Sequence, residues 1–517
     1  MTTGRWMGRT VGLGTLVFVL LFFAEPRRAA ASPLFELTGG VHGRGGFNAR
    51  ATGDGSGAAY FNPSLLPKAE AGLDVGVMVI HDRIHIDLAS RPDGVNVPDE
   101  FPRLRQPNGD LPPIDAVPTS WLEGTNPDAE LTARPRQQAR DPNATTTYAA
   151  VGLTVPVFDD WLVFGFYAMV PMGDFTRARS FYVDEREQVF SNSLYAERYE
   201  DRLQATSISF ALGSQLHEKL SIGVAATLNL TNEAFAPVFV PSPDNLADIR
   251  LLSDVNVDVG IAPHVGIHYE PHEDVHLSFT AHSPSKFEIV AAYEFTLRDG
   301  STQSSAVKFT HAYVPWKFAI GAGWDVLESH VHDVSLVATG EYTLWSQYQD
   351  RTPQALGDAV VFDDVPDWPT GSRAWNNTVS GALGVRWRYK DVHMLGDVLF
   401  QPTPVPDQTG RTNYVDNHRV GALFGAEAEF VLADTVFRAG GQIQAHRLIP
   451  RSVTKNVPDT SEPIPEDEVQ DAVPDDAVLS GSPYDGAEGL QTNNPGFPGF
   501  SSEGWILVAG LNLSVLF

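Results

Sequence analysis

One pattern restricts this chain more than any other: from about residue 72 to the end, apolar and polar residues alternate with a period of two. In VNVDVGIAPHVGIHYE (255–270), Val255, Val257, Val259, Ile261, Val265, Ile267 and Tyr269 occupy odd positions, interrupted only by Pro263, while Asn256, Asp258, His264 and His268 occupy even ones. Successive side chains of a strand point to opposite faces, so each such segment has one greasy and one wet face. LSIGVAATLNL (220–230), VSGALGVRWRY (379–389) and RVGALFGAEAEF (419–430) repeat the pattern. A soluble β-sandwich alternates too, so the connections have to decide. Short turns (LHEK 216–219, YEPHED 269–274, YKD 389–391, LAD 432–434) alternate with long polar stretches near 84–145, 172–202, 232–253, 350–373, 402–417 and 450–501. Short turns on one rim and long loops on the other are the pattern of an outer-membrane barrel. The expected fold class is all-β: a transmembrane antiparallel β-barrel of about fourteen strands, an even number that leaves both chain ends on the periplasmic side. The sheet must close, because an open edge would leave unpaired N–H and C=O groups in hydrocarbon.

The ends agree with export. Arg5 and Arg9, an apolar run from Val11 to Ala24, and AAASP at 29–33 describe a cleaved secretory signal, expected to span 1–31. No other run is long and apolar enough for a transmembrane helix. The formal charge of −28 becomes −31 once 1–31 has taken four arginines and one glutamate with it. Nucleic-acid binding is therefore not expected, since phosphate affinity comes from clustered Lys and Arg. The absence of cysteine is compatible with a bacterial envelope, and the expected location is the outer membrane of a Gram-negative bacterium.

Between the signal and the first alternating strand lies GGFNARATGDGSGAAYFNPSLL (45–66), too glycine-rich for a helix and too polar for a buried strand. A phosphate-binding loop would need a Gly-Lys-Ser/Thr ending, and no lysine precedes Lys68. A nucleophile elbow would need glycines two residues either side of the serine, whereas Gly55 and Gly57 adjoin Ser56 directly. Elsewhere no serine, histidine and acid are placed together, so no enzyme activity is expected.

Ala49-Arg50-Ala51, the small residues that follow, and Tyr60-Phe61-Asn62-Pro63 resemble the N-terminal hatch of the FadL-type long-chain fatty acid and hydrophobic compound transporters, with Ser64 where that family usually has alanine. WSQYQD (345–350), PTPVPDQ (402–408) with Arg419 downstream, and SEGWILVAGLNLSVLF (502–517) are similar to later family blocks, in the same order. The resemblance implies a hatch at 32–70 plugging a barrel at 71–517, and a third strand kinked inward to open a lateral route to the bilayer. Small residues suit a segment threading a crowded lumen, with Phe47, Tyr60 and Phe61 making its apolar contacts and Asn62 and Pro63 forming its gating end.

WLVFGFYAMVPMG (161–173) is apolar at both odd and even positions, so one set faces lipid and the other makes an apolar lumen wall or packs the hatch. Phe164 and Phe166 are the ligand-facing candidates, and Gly165 and Pro171 are positions where the ladder could break. Arg386 and Arg388 on a wet face match a carboxylate headgroup, or else pair with acids such as Glu427 and Glu429. With a turn centred on His272, His268 and His276 would lie opposite each other; no third donor is placed by sequence, so a solvated lumen face without metal or other cofactor is expected. The acidic run 465–477 reads as a solvated loop. Together these point to passive uptake of a hydrophobic small molecule, a fatty acid or an aromatic hydrocarbon, by a monomer contacting outer-membrane lipid. The alternative is a structural or adhesive barrel with a permanent plug.

Overall fold

The computed structural model describes residues 33–41, 45–88, 139–140, 143–158, 161–172, 182–183, 193–194, 198, 206–240, 250–251, 254–297, 302–348, 354–355, 375–407, 414–454, 469–470, 491–492 and 499–517. The expected signal peptide and the acidic run at 465–477 therefore lie, wholly or almost wholly, outside the described residues. Sixteen strands are eight residues or longer: β1 (Gly72–Leu88), β2 (Asn143–Phe158), β3 (Leu162–Pro171), β4 (Ser207–His217), β5 (Leu220–Val240), β6 (Asp254–His272), β7 (Val275–His282), β8 (Ser285–Leu297), β9 (Thr302–Val314), β10 (Lys317–Glu328), β11 (His332–Thr343), β12 (Thr378–Tyr389), β13 (Val392–Gln401), β14 (Arg419–Leu432), β15 (Thr435–Thr454) and β16 (Gly499–Leu516).

Fourteen of them form a closed antiparallel wall. Each pairs with its neighbour in the chain, and β16 returns to β1 in a ladder from Gly72↔Leu516 to Leu88↔Phe500. The wall steps directly from β7 to β10, with His282 opposite Lys317 and Val275 opposite Trp324. β8 and β9 stand outside that circuit as a hairpin, with β8 running parallel to β5 from Asn232 to Val240. This excursion is rich in strand formers, so composition does not mark it as a connection. Two of the short turns are two-residue turns, with Lys390 in one and Ala433 and Asp434 in the other at positive φ, the conformation that matches the twist of a hairpin.

Outward faces are apolar. Leu73, Val75, Val77 and Val79 of β1, Trp505, Leu507, Leu511 and Leu513 of β16, and Val379, Leu383 and Val385 of β12 are all exposed. In water such a belt would aggregate; around a closed barrel it is the lipid-facing band. Trp161, Tyr269, Trp324, Trp387 and Tyr389 are exposed near the short turns, where an aromatic girdle meets the interface.

Inward faces differ with height and around the wall. Near the short turns they carry Asp74, His268, Arg386, Glu427 and Arg438, all buried. Toward the long connections, one buried apolar cluster joins Met78, Ile80, Ile84 and Ile86 of β1, Tyr148 of β2, Met169 of β3, Leu448 and Val453 of β15, and Phe500, Ile506 and Val508 of β16. At that level β1 turns His81, Arg83 and His85 outward. β3 is thus joined by stretches of β1 and β16 in an apolar sector of the inner wall, with Asp82 buried among the isoleucines of β1.

The N-terminal residues pack on this inner side. They form α1 (Pro33–Thr38), α2 (Ala58–Phe61) and a 3-10 turn (Pro63–Lys68), and Leu34, Phe35, Leu37, Tyr60, Phe61 and Leu66 belong to the same apolar cluster.

Candidate functional site: the barrel interior

Three wall glycines determine where the N-terminal segment sits. Gly213, Gly223 and Gly266 lie opposite one another across β4, β5 and β6. A Cβ on Gly213 or Gly223 would run into the Pro63 backbone, and one on Gly266 into the Asn62 side chain. The row is a shallow seat for Asn62-Pro63, and glycine is required there because backbone approaches backbone. Asn62 then works inside the segment: its Nδ2 donates to Arg50 O at 2.8 Å, and its Oδ1 accepts from Ser64 N at 3.2 Å and Ser64 Oγ at 2.6 Å. Ser64 adds a hydroxyl to the cap of the 3-10 turn.

Polar partners on the wall satisfy the ends of the short helices, whose terminal carbonyls have no helical donors. His264 Nε2 lies 3.1 Å from Ala59 O and His282 Nε2 lies 3.4 Å from Phe61 O, the two imidazoles stacked at 4.5 Å. Asp397 of β13 accepts from Phe47 N at 2.8 Å, Asn48 Nδ2 at 3.0 Å and Arg386 Nη1 at 2.6 Å; Arg386 Nη2 donates to Gly45 O at 2.7 Å. Gly46, at the turn so held, has φ +53° and faces Asp397. A buried network links Glu36 to Arg50 (2.7 Å), to Tyr60 Oη (2.6 Å) and to Lys317, while Glu341 takes Arg50 (3.2 Å) and Lys317 (3.0 Å). Burial raises the Glu36 carboxyl, but Arg50, Lys317 and His282 outweigh it and hold the group well below the usual carboxylate range. Burial likewise raises the Tyr60 phenol, and the neighbouring Glu36 charge pushes it the same way.

Several expected site residues occupy other places. Phe164 and Phe166 face outward with Phe210, their ring centroids 6.4 and 5.3 Å from it; the inner set of β3 is Val163, Gly165, Tyr167 and Met169. The two faces are alike in hydrophobicity, so the sequence had no means of choosing between them. Gly165 does not break the ladder: β3 pairs with β4 from Leu162 to Met169, and the missing Cβ makes room for Leu66 and Ala59. Pro171 lies beyond the last pair with β4. Met172 N donates to Thr147 O on β2 at 2.7 Å, so the Pro171 nitrogen points to the β4 side, where it needs no hydrogen. Arg386 is committed to Asp397, and Arg388 to Asp333; Glu427 and Glu429 meet Arg438 instead. Phe47 packs 5.3 Å from His446, Phe61 lies edge-on to Tyr60 at 5.0 Å, and Tyr60 is fully buried. These three brace the segment against the wall.

The histidine register also differs from the expectation. His264 faces His282 and His268 faces Ser278, with a bulge between Tyr269 and His272 that moves the turn. His268 and His276 still stack at 5.8 Å, and Glu270 lies between them.

A small recess of about 40 Å³ remains beside α1, lined by Leu37, Glu36, Lys317, Arg419, Arg198, Tyr313 and Trp345 among others. Next to it Tyr313, Trp345, Trp375, Val405 and Tyr414 form a buried cluster with Tyr348, which stacks on Trp375 at 3.9 Å. The WSQYQD and PTPVPDQ blocks meet here through Trp345, Tyr348 and Val405. Tyr313, Trp375, Tyr414, Lys317 and Glu36 belong to no motif, and sequence reasoning missed them.

The fold and this interior define a class first: a transmembrane β-barrel of the outer-membrane type with its own N-terminal residues packed on the inner wall. No family model matches the sequence, and no curated protein resembles it in sequence. Among solved structures, a Pseudomonas aeruginosa FadL homologue aligns with a TM-score of 0.52 at 14% identity, covering 94% of this chain and 98% of that one. The P. putida toluene transporter TodX aligns at 0.46 and 11% identity, covering 95% and 99%. The chain has the FadL-type barrel fold.

Proposed function

We propose that the protein carries hydrophobic small molecules passively across the outer membrane, as a monomer, with residues 32–70 as hatch and 71–517 as barrel. One observation carries the reading: a sector of the inner wall, on β1, β2 and β16, is apolar in its outer half, through Ile80, Ile84, Ile86, Tyr148, Ile506 and Val508. A water-filled diffusion pore has a polar interior. An apolar solute gains by leaving water, and a greasy compartment offers that gain where an aqueous channel does not. The recess adds a finer element, since the guanidinium of Arg419, whose side-chain contact there is the neutral Gln401 amide, stands beside Tyr313 and Trp345 and suits a carboxylate joined to an apolar body, as in a long-chain fatty acid. The lateral exit is assigned to the end of β3 at Pro171, because the Gly165 region is paired on both sides.

The test is uptake of a labelled long-chain fatty acid and of a labelled aromatic hydrocarbon by cells with and without the protein. Both enter faster with it, and Ile84→Asn slows both while the barrel keeps its heat-modifiable migration. Equal uptake by the two kinds of cell would sink the transport reading and leave a structural barrel; enhancement of the hydrocarbon alone would remove the fatty acid.

A further inference from the structure

The turn between β6 and β7 carries a set of side chains that transport does not use. His268 and Glu270 lie two residues apart on β6, and the bulge beside them brings His276 of β7 alongside. Glu270 Oε1 is 3.2 Å from His268 Nε2 and 2.9 Å from His276 Nδ1. All three ligand atoms fall within 4.8 Å of one another. Two imidazoles and a carboxylate are a zinc-type donor set, and donors about 2.0–2.2 Å from one ion stand roughly 2.9–3.5 Å apart. The two separations from Glu270 fit that range.

Supporting groups are in place as well. His276 Nε2 lies 2.9 Å from Asp325 Oδ2 of β10, the carboxylate contact that orients a metal-binding imidazole and frees its other nitrogen. His268 is 2% exposed, so its ring is held by packing. The ammonium of Lys68 rests on the same Glu270 oxygen. Its side chain is 31% exposed and has water to turn into. A tethered cation thus stands at the carboxylate that an ion would need.

We propose that His268, Glu270 and His276 bind a divalent transition-metal ion of the zinc type, and that Lys68 is an internal cation which the metal displaces from Glu270. Neutral imidazoles and the carboxylate hold the ion, and water completes its coordination. Displacing Lys68 unties the last residue of the 3-10 turn from the wall and leaves the Asn62-Pro63 seat untouched.

The experiment uses untagged full-length protein in detergent, stripped with a chelator and titrated calorimetrically with Zn²⁺ alone. One equivalent should bind per chain. Asp325→Asn should weaken binding about 10–100-fold, and His268→Ala and Glu270→Gln by about 100-fold or more. Lys68→Ala should tighten it, because the competitor is gone. Heat-modifiable migration checks that each variant is a folded barrel; if His268→Ala does not fold, Glu270→Gln carries the test. Failure of the folded wild type to take up one equivalent overturns the proposal. So does binding that Glu270→Gln leaves unchanged, and a Lys68→Ala variant that binds more weakly would refute the competition.

Discussion

Glu36 joins the N-terminal segment to the wall: Arg50, Lys317 and the Tyr60 hydroxyl all converge on its carboxylate. Removing one partner from a buried ion network leaves the others uncompensated, typically at a cost of about 3–5 kcal/mol. Glu36→Gln should therefore loosen residues 33–61 from the wall, read as faster hydrogen exchange in those peptides with β1 and β16 still protected. The pH dependence follows from the lowered Glu36 carboxyl. A carboxylate depressed in the folded state contributes its full stabilisation above its unfolded value of about 4.3, and loses it as the pH falls further. Protection of 33–61 should hold at pH 7 and decline below about pH 4 in the wild type, and the decline should be smaller in Glu36→Gln. None of this was legible in the sequence. Glu36 sits in a six-residue helix with no motif; Arg50 and Tyr60 reach it across an irregular segment, and Lys317 lies on a strand 281 residues away.

At the scale of elements, the outward faces were readable because a bilayer imposes one rule on every strand: odd or even, the lipid side is apolar. The inward faces were not, because a filled interior selects each residue for its own contact. Glycine at 213, 223 and 266 is neutral in the alternation, yet it fixes where Asn62-Pro63 rests. Gly223→Val should cost about 1–3 kcal/mol of seating through overpacking, while valine favours the strand that carries it. The expected result is faster exchange across 58–68 with unchanged heat-modifiable migration; loss of barrel folding would mean that the row serves the wall itself. The same logic accounts for Arg386. Its type and face were foreseen, but its partner was not: Asp397 lies on the adjacent β13, one strand nearer than Glu427 and Glu429, and it claims the guanidinium for the turn at 45–48.

For the whole molecule, strand count and closure were legible from turn lengths, whereas the β8–β9 hairpin was not, because it alternates as the wall does. The wall does not need it for closure: His282 already faces Lys317. Deleting 285–314 and joining Pro284 to Pro315 should leave a folded, heat-modifiable barrel. It also removes Tyr313 from the recess, so uptake should fall even though insertion survives. A deletion that abolished folding would place the hairpin among the elements on which closure depends. The seating of residues 33–70 has an electrical consequence. A fourteen-stranded wall with nothing inside would conduct ions under a voltage, as wide barrels do. With the N-terminal residues docked, Glu36 and Arg50 of that segment pair with Lys317 and Glu341 of the wall, and the segment occupies cross-section that ions would otherwise use. A bilayer holding this protein should therefore pass less steady current than one holding a form that lacks residues 33–70, a difference that planar-bilayer recording reads directly.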